Sequence, residues 1–313
     1  MELLYNNDLQ GVCMYEEYFK NFYDLLSKGY LFPRWANNLN AGYGSPILII
    51  LPPLKYYLGS IIQTVFKIPV PIILKMLSFN LNWLVWPLSL LSLDGYRKKA
   101  GWQRFLVSSL AISCLVLANK PEQLVYVLSI VVLFSSYSAF KTKQRLKMAK
   151  KYLLIILTAM GLSVFYWLPA ITEYKQVKAF MANNNLLFED LEAQSLDVVS
   201  DSSKVEMINE YDSRYLWYGY ELIASGSADF RFNVYDYPGW KVFFQSQPIN
   251  IDPGDDENKG LITFTLPDIK HRADFLEIVF EDTKTRALAE NITYLTMALL
   301  IIYTGCGYFK KNN

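Results

Sequence analysis

The residues with the most varied chemistry in this chain crowd into 32–57, FPRWANNLNAGYGSPILIILPPLKYY. Arg34 offers a planar cation, Asn40 a carboxamide, and Trp35, Tyr43, Tyr56 and Tyr57 offer amphipathic rings. Such side chains settle at a membrane–water boundary, where the apolar body is buried and the polar end stays wet. Gly42, Gly44, Pro46, Pro52 and Pro53 break regular backbone where the chain enters its first strongly apolar stretch. Backbone groups freed there are tolerated in lipid only if protein or water covers them, so a loop folded over a membrane cavity meets the constraints. Asn40, Gly42, Tyr43 and Gly44 read either as a ligand-shaping turn or as a plain entry into a helix. Farther along, Tyr237-Pro238-Gly239-Trp240 reads as a β-turn with a core Trp, carbohydrate stacking on Trp240 being its chemical alternative.

Other reactive types argue mainly by exclusion. Cys13, Cys114 and Cys306 lack metal-like spacing, and the last two lie in apolar runs as small buried hydrophobes. His271, the only histidine, sits between Lys270 and Arg272 in a polar stretch, a poor start for a metal site. The 313 residues are 52% hydrophobic, 16% aromatic and 19% charged, with a formal net charge of +1. That charge averages unlike regions, because basic clusters punctuate apolar runs while most of the acid lies within 173–290. No nucleic-acid footprint follows from it.

The elements that must position these residues follow from hydropathy. A helix crossing a bilayer needs about 20 apolar residues, and 102–118, 122–140, 152–171 and 292–308 supply four such runs. Two further runs, 45–66 and 68–93, are apolar but interrupted by proline; together they suggest one full crossing and one partial helix. Basic clusters at 97–104, 141–151 and 310–311 mark the cytoplasmic side. Residues 172–290 are then external and the C-terminus cytoplasmic, in a plasma membrane. Ahead of the first run, Tyr15, Phe19, Phe22 and Leu26 recur at helical spacing up to Gly29, suggesting an amphipathic helix on the membrane surface. From about residue 195 the period falls to two: Phe230, Phe232 and Val234 alternate with Arg231, Asn233 and Tyr235. The expected fold is an α-helical multi-pass membrane protein plus an external antiparallel β-sandwich. Its parts are an external loop (1–42), a transmembrane region (43–171), the external domain (172–290) and a last helix with a basic tail (291–313).

Three stretches, FPRWANNLNAGYGSPILIILPPLKYYL, GLSVFYWLPAITE and YDYPGWKVFFQSQPINI, the last with GLITFTLPDIKH and EIVFEDTKTRAL, carry a resemblance. In that order they resemble the 6-pyruvoyl-tetrahydropterin synthase-related, or YfhO-like, multi-pass membrane proteins of bacteria. The resemblance touches most of the chain. It implies helices similar to those of GT-C glycosyltransferases, which move a sugar from a polyprenyl-phosphate carrier to a glycan acceptor. It also implies a carboxylate in the first external loop that activates the acceptor hydroxyl, a cation that steadies the departing phosphate, and a divalent metal by analogy. Transferred residue by residue, Asp8, Glu16 and Glu17 are the candidate carboxylates. Arg34 becomes the phosphate partner, since its fork can pair phosphate bidentately, with Trp35, Asn40 and Tyr43 completing the ligand-binding set. The chain departs from the pattern in three places: no transmembrane run precedes the loop, no acid–histidine pair stands in it, and helices are missing between 66 and 83. A shortened member is expected from these. The alternative is a non-catalytic envelope protein in which the external sandwich binds glycan or a protein partner.

Overall fold

The computed structural model describes residues 2–77, 81–183, 193–200, 205–214, 216–224, 226–252, 260–269 and 274–312. They form two compact units: Met1–Arg34, Ile47–Lys178 and Lys284–Asn313 in one, Trp35–Pro46 and Ala179–Thr283 in the other.

The first unit is helical. It contains α1 (Glu2–Ser27), α2 (Leu54–Phe66), α3 (Val70–Leu77), α4 (Asn82–Lys98), α5 (Trp102–Leu117), α6 (Leu124–Phe140) and α7 (Arg145–Thr172). After α8 (Tyr174–Asn183), which runs across the division between units, the chain returns in α9 (Lys284–Asn312). Among the described residues, three stretches are long and apolar enough to cross a membrane: Pro121–Phe140, Arg145–Thr172 and Lys284–Gly307. α5 is apolar but has only 16 residues. The run 45–93 does not make one crossing and a partial helix. It is cut into helices of 13, 8 and 17 residues. Pro53 stands at the N-cap of α2 and Pro71 in the first turn of α3, where proline starts a helix more readily than it continues one.

α7 packs against α5, α6 and α9. Its approach to α9 depends on Gly161, where an added Cβ would lie 2.5 Å from Thr296 Oγ1. α4 and α5 meet through small polar residues: Ser89 Oγ donates to the Ala111 carbonyl at 2.9 Å, and Ser108 Oγ to that of Ser92 at 3.0 Å. Small residues let backbones come close, and hydroxyls find carbonyls where no water competes. α1 is not a free surface helix. Phe19, Phe22 and Leu25 are buried, with Phe22 5.4 Å from the Tyr56 ring and 5.0 Å from the Tyr57 ring of α2. Its apolar stripe is covered by protein because α2 supplies aromatic partners that periodicity within α1 does not reveal.

The second unit holds two antiparallel sheets. One orders β1 (Leu196–Val198), β4 (Gly226–Tyr235) and β7 (Leu261–Ile269) side by side. The other has the order β2 (Val205–Arg214), β3 (Trp217–Ala224), β8 (Asp274–Phe280), β5 (Trp240–Phe244), β6 (Gln247–Ile249). Along β4, Phe230, Phe232 and Val234 face inward, as the period-two pattern predicts. Rings join the sheets: Tyr218 of β3 lies 4.8 Å from Phe232 of β4, and Trp240 of β5 lies 6.0 Å from it.

Candidate functional site

The loop 35–46 belongs to the β unit. Ala36 and Ser45 exchange two backbone hydrogen bonds at 2.8 and 3.0 Å, closing it as a small hairpin. Trp35 enters the core at 1% exposure. It meets Trp240 edge-on at 5.7 Å, Phe280 at 5.2 Å and Tyr237 at 6.0 Å. Gly44 is required beneath it: its φ is +84°, and a Cβ there would lie 2.4 Å from Trp35 Nε1. Asn40 closes the turn through Nδ2, which donates to the Gly44 carbonyl at 2.9 Å. The Tyr43 carbonyl accepts from Tyr235 N at 3.2 Å, and the two rings stack at an angle 5.9 Å apart.

Trp35 and Tyr43 thus bury their rings within the β unit instead of presenting them at a surface. Trp240 is the core Trp expected of its turn, and the stacking alternative is set aside. Trp35, Tyr218, Phe232 and Phe280 surround it at 5% exposure, and a sugar can stack only on an open face.

Gln194 ties the loop to the strands. Its Nε2 donates to the Gly42 carbonyl at 2.9 Å, and its Oε1 accepts from Tyr218 Oη at 2.9 Å. Asn37 Nδ2 donates to the same phenol at 3.4 Å. Burial pushes the Tyr218 phenol well above its ordinary range, so it stays neutral and keeps its proton for Gln194.

On the outer face of the three-stranded sheet a second network is partly open. β1 pairs with β4 so that Asp197 lies opposite Arg231. Arg231 Nη2 lies 3.3 Å from Asp197 Oδ2, and its Nε donates to Asn233 Oδ1 at 3.1 Å. Asn233 Nδ2 donates to Asp197 Oδ2 and to Ser195 Oγ, each at 2.8 Å. Asn233 is fully buried, whereas the Asp197 side chain keeps 37% and Arg231 19% of their exposure. The Asp197 carboxylate and the Arg231 guanidinium are thus held in fixed orientation by the buried Asn233 carboxamide, with their own outer edges wet. The sequence placed Arg231 and Asn233 on one face by alternation; their partner Asp197, over thirty residues upstream, left no local signal.

In the helical unit Glu16 and Arg34 are engaged by other partners. Asp8 lies on α1, in the stretch 2–14 of which the backbone alone is described. Glu16 Oε1 contacts Lys20 Nζ at 2.8 Å, one turn along α1, and Glu17 is exposed. Arg34 is buried elsewhere in that unit. Its Nη1 donates to the Phe165 carbonyl at 2.7 Å, and its Nη2 lies 3.2 Å from Glu290 Oε1. The cause lies in α7, which continues through Pro169. A proline inside a helix has no N–H for the carbonyl four residues back; that carbonyl is Phe165, and Arg34 takes it. The guanidinium offered to phosphate is thus engaged by a carboxylate and by a helix carbonyl that Pro169 leaves without a donor.

Glu173 and Arg286 form a second buried pair. Arg286 Nε and Nη2 approach the Glu173 carboxylate at 2.9 and 2.7 Å, joining the end of α7 to the first turns of α9. Arg286 and Glu290, four residues apart on α9, share one helix face, but that spacing names neither of their partners, Glu173 and Arg34. Among the described residues no group of three His, Cys, Asp or Glu could hold a metal ion. The metal implied by resemblance therefore has no donor set here through which to derive a step, and His271 lies outside the described residues. No protein-family model, curated protein or solved structure matches the chain.

Proposed function

We propose that this chain is a multi-pass membrane protein of a bacterial cell envelope. In this reading the helical unit is an anchor and the β unit a non-catalytic module that binds envelope glycan. The observation that carries the binding role is the Asp197–Arg231–Asn233 network. Carboxylates and carboxamides take pairs of sugar hydroxyls, and a preorganised set loses little freedom on doing so. The apolar exteriors of α6, α7 and α9 support the anchor. The basic clusters at the ends of α4 and α6 and at the start of α7 support an outward-facing β unit.

The test is retention of the detergent-solubilised full chain on immobilised cell-wall glycan. Arg231→Met should lower retention at least tenfold while leaving the thermal midpoint of the β unit within a few degrees. Absence of retention by wild type, or equal retention by the variant, would refute the glycan reading. The glycosyltransferase reading rests on the resemblance and on Asp8, Glu16 and Glu17. It requires turnover of a polyprenyl-phosphate-linked sugar by the wild-type chain, abolished by Asp8→Asn, Glu16→Gln or Glu17→Gln.

A further inference from the structure

A cavity of about 280 Å³ opens between α4 and α6 of the helical unit. Its apolar lining is Leu90, Leu91 and Phe134, beside the buried Ser138, and its rim is Asp94, Arg97, Lys141 and the exposed Tyr137. The rim lies at one end of the groove, where α4 finishes at Lys98 and α6 at Phe140. Asp94 is shared: Arg97 Nη2 lies 2.7 Å from Oδ1 and Lys98 Nζ 2.7 Å from Oδ2. Arg97 and Lys141 against the one Asp94 carboxylate leave the rim with one positive charge in excess, and Lys98 pairs with Asp94 from outside the lining. Lys141 is exposed, with its Nζ 4.4 Å above the Tyr137 ring, so it is held over the opening by a contact that leaves its outer N–H groups available.

We infer that this groove is a binding site for an anionic phospholipid of the cytoplasmic leaflet. One acyl chain would lie along Leu90 and Phe134, and the headgroup phosphate would sit between Arg97 and Lys141. An apolar slot ending in a net-positive rim matches the two halves of such a lipid, and basic cavities between membrane helices on the cytoplasmic side favour anionic headgroups. A zwitterionic lipid would present its own cation to the same rim and lose that advantage. The inference rests on the membrane reading above, but its failure is separable from that of the anchor.

The experiment is native mass spectrometry of the full chain in detergent, titrated in parallel with phosphatidylglycerol and phosphatidylcholine of equal chain length. Wild type should retain phosphatidylglycerol at least fivefold more. Arg97→Gln with Lys141→Gln should bring the ratio to about one, and Ser138→Trp, which fills the slot, should reduce both lipids. Equal retention of the two lipids by wild type would overturn the inference, as would an unchanged ratio in a double variant whose thermal midpoint stays within a few degrees of wild type. If the chain leaves membranes in an alkaline carbonate wash without detergent, the anchor fails too; if it stays and shows no lipid preference, only the groove does.

Discussion

The two units differ in what they leave uncovered and in the small polar residues that they enclose. In the helical unit Ser89, Ser108 and Ser163 are wholly enclosed, while Leu133 is 69% and Ile301 70% exposed. The β unit encloses Phe230, Phe232, Phe264 and Trp240 and presents Asp197, Asp229 and Arg231 outward. A protein in water does not leave contiguous helix faces of Leu, Val and Ile uncovered without a partner. In lipid the drive to bury them disappears, and small residues with hydroxyls become the better interior. The contrast is the one expected of a chain whose first unit lies in lipid and whose second lies in water. It also explains why buried charge in the helical unit is matched pair by pair, Arg34 with Glu290 and Arg286 with Glu173.

The strongest way to break the comparison is through the second of those pairs. Arg286→Met leaves the Glu173 carboxylate buried without its partner and should cost about 3–5 kcal/mol. The expected readout is a large drop in the thermal midpoint of the helical unit in detergent. Adding Glu173→Leu should restore most of the loss, because a buried pair replaced by apolar residues is often neutral. A single variant as stable as wild type would mean that water reaches the site.

Next in size is a substitution that water would ignore. Leu133 lies near the middle of α6 with most of its side chain uncovered. In water Leu133→Arg would be close to neutral, as for most surface changes. At the centre of a membrane helix it should cost about 3 kcal/mol of insertion free energy. A reporter of membrane integration should show a marked loss for Leu133→Arg; unchanged integration would remove lipid from the account of α6.

The β unit offers a smaller but sharper probe. Gly44→Ala sets a Cβ against the Trp35 ring in a left-handed backbone conformation, a strain of about 1–3 kcal/mol. The near-UV circular dichroism of the Trp35–Trp240 cluster should weaken while helix content is unchanged. A spectrum like that of wild type would show that the loop does not seat Trp35 in the sheet core.

Much of this architecture was legible in the sequence, for reasons that also mark the limit. Runs 102–118, 122–140, 152–171 and 292–308 were visible because helix and apolarity are local properties; each coincides with α5, α6, α7 or α9. The inward face of β4 was visible because alternation needs only neighbours. The allegiance of 35–46 was not, since it depends on Gln194 reaching the Gly42 carbonyl across 152 residues. An aromatic next to arginine looks the same in sequence whether it meets lipid headgroups or a Trp240 edge. Pro169 did announce that the Phe165 carbonyl would need a donor, but nothing near it in the chain named Arg34.

The smallest expected effect separates the two kinds of charge pair most cleanly. Glu16 and Lys20 are one turn apart on α1, the lysine largely in solvent, so water and salt already screen them. Glu16→Gln should leave the thermal midpoint unresolved from wild type, and raising salt to about 1 M, where charges are screened beyond about 3 Å, should do no more. The Glu173–Arg286 pair should ignore the same salt for the opposite reason: ions cannot enter its surroundings. If Glu16→Gln keeps the midpoint yet abolishes sugar transfer by an active wild-type chain, Glu16 acts on a substrate rather than on its helix, and the glycosyltransferase reading displaces the anchor-and-module one.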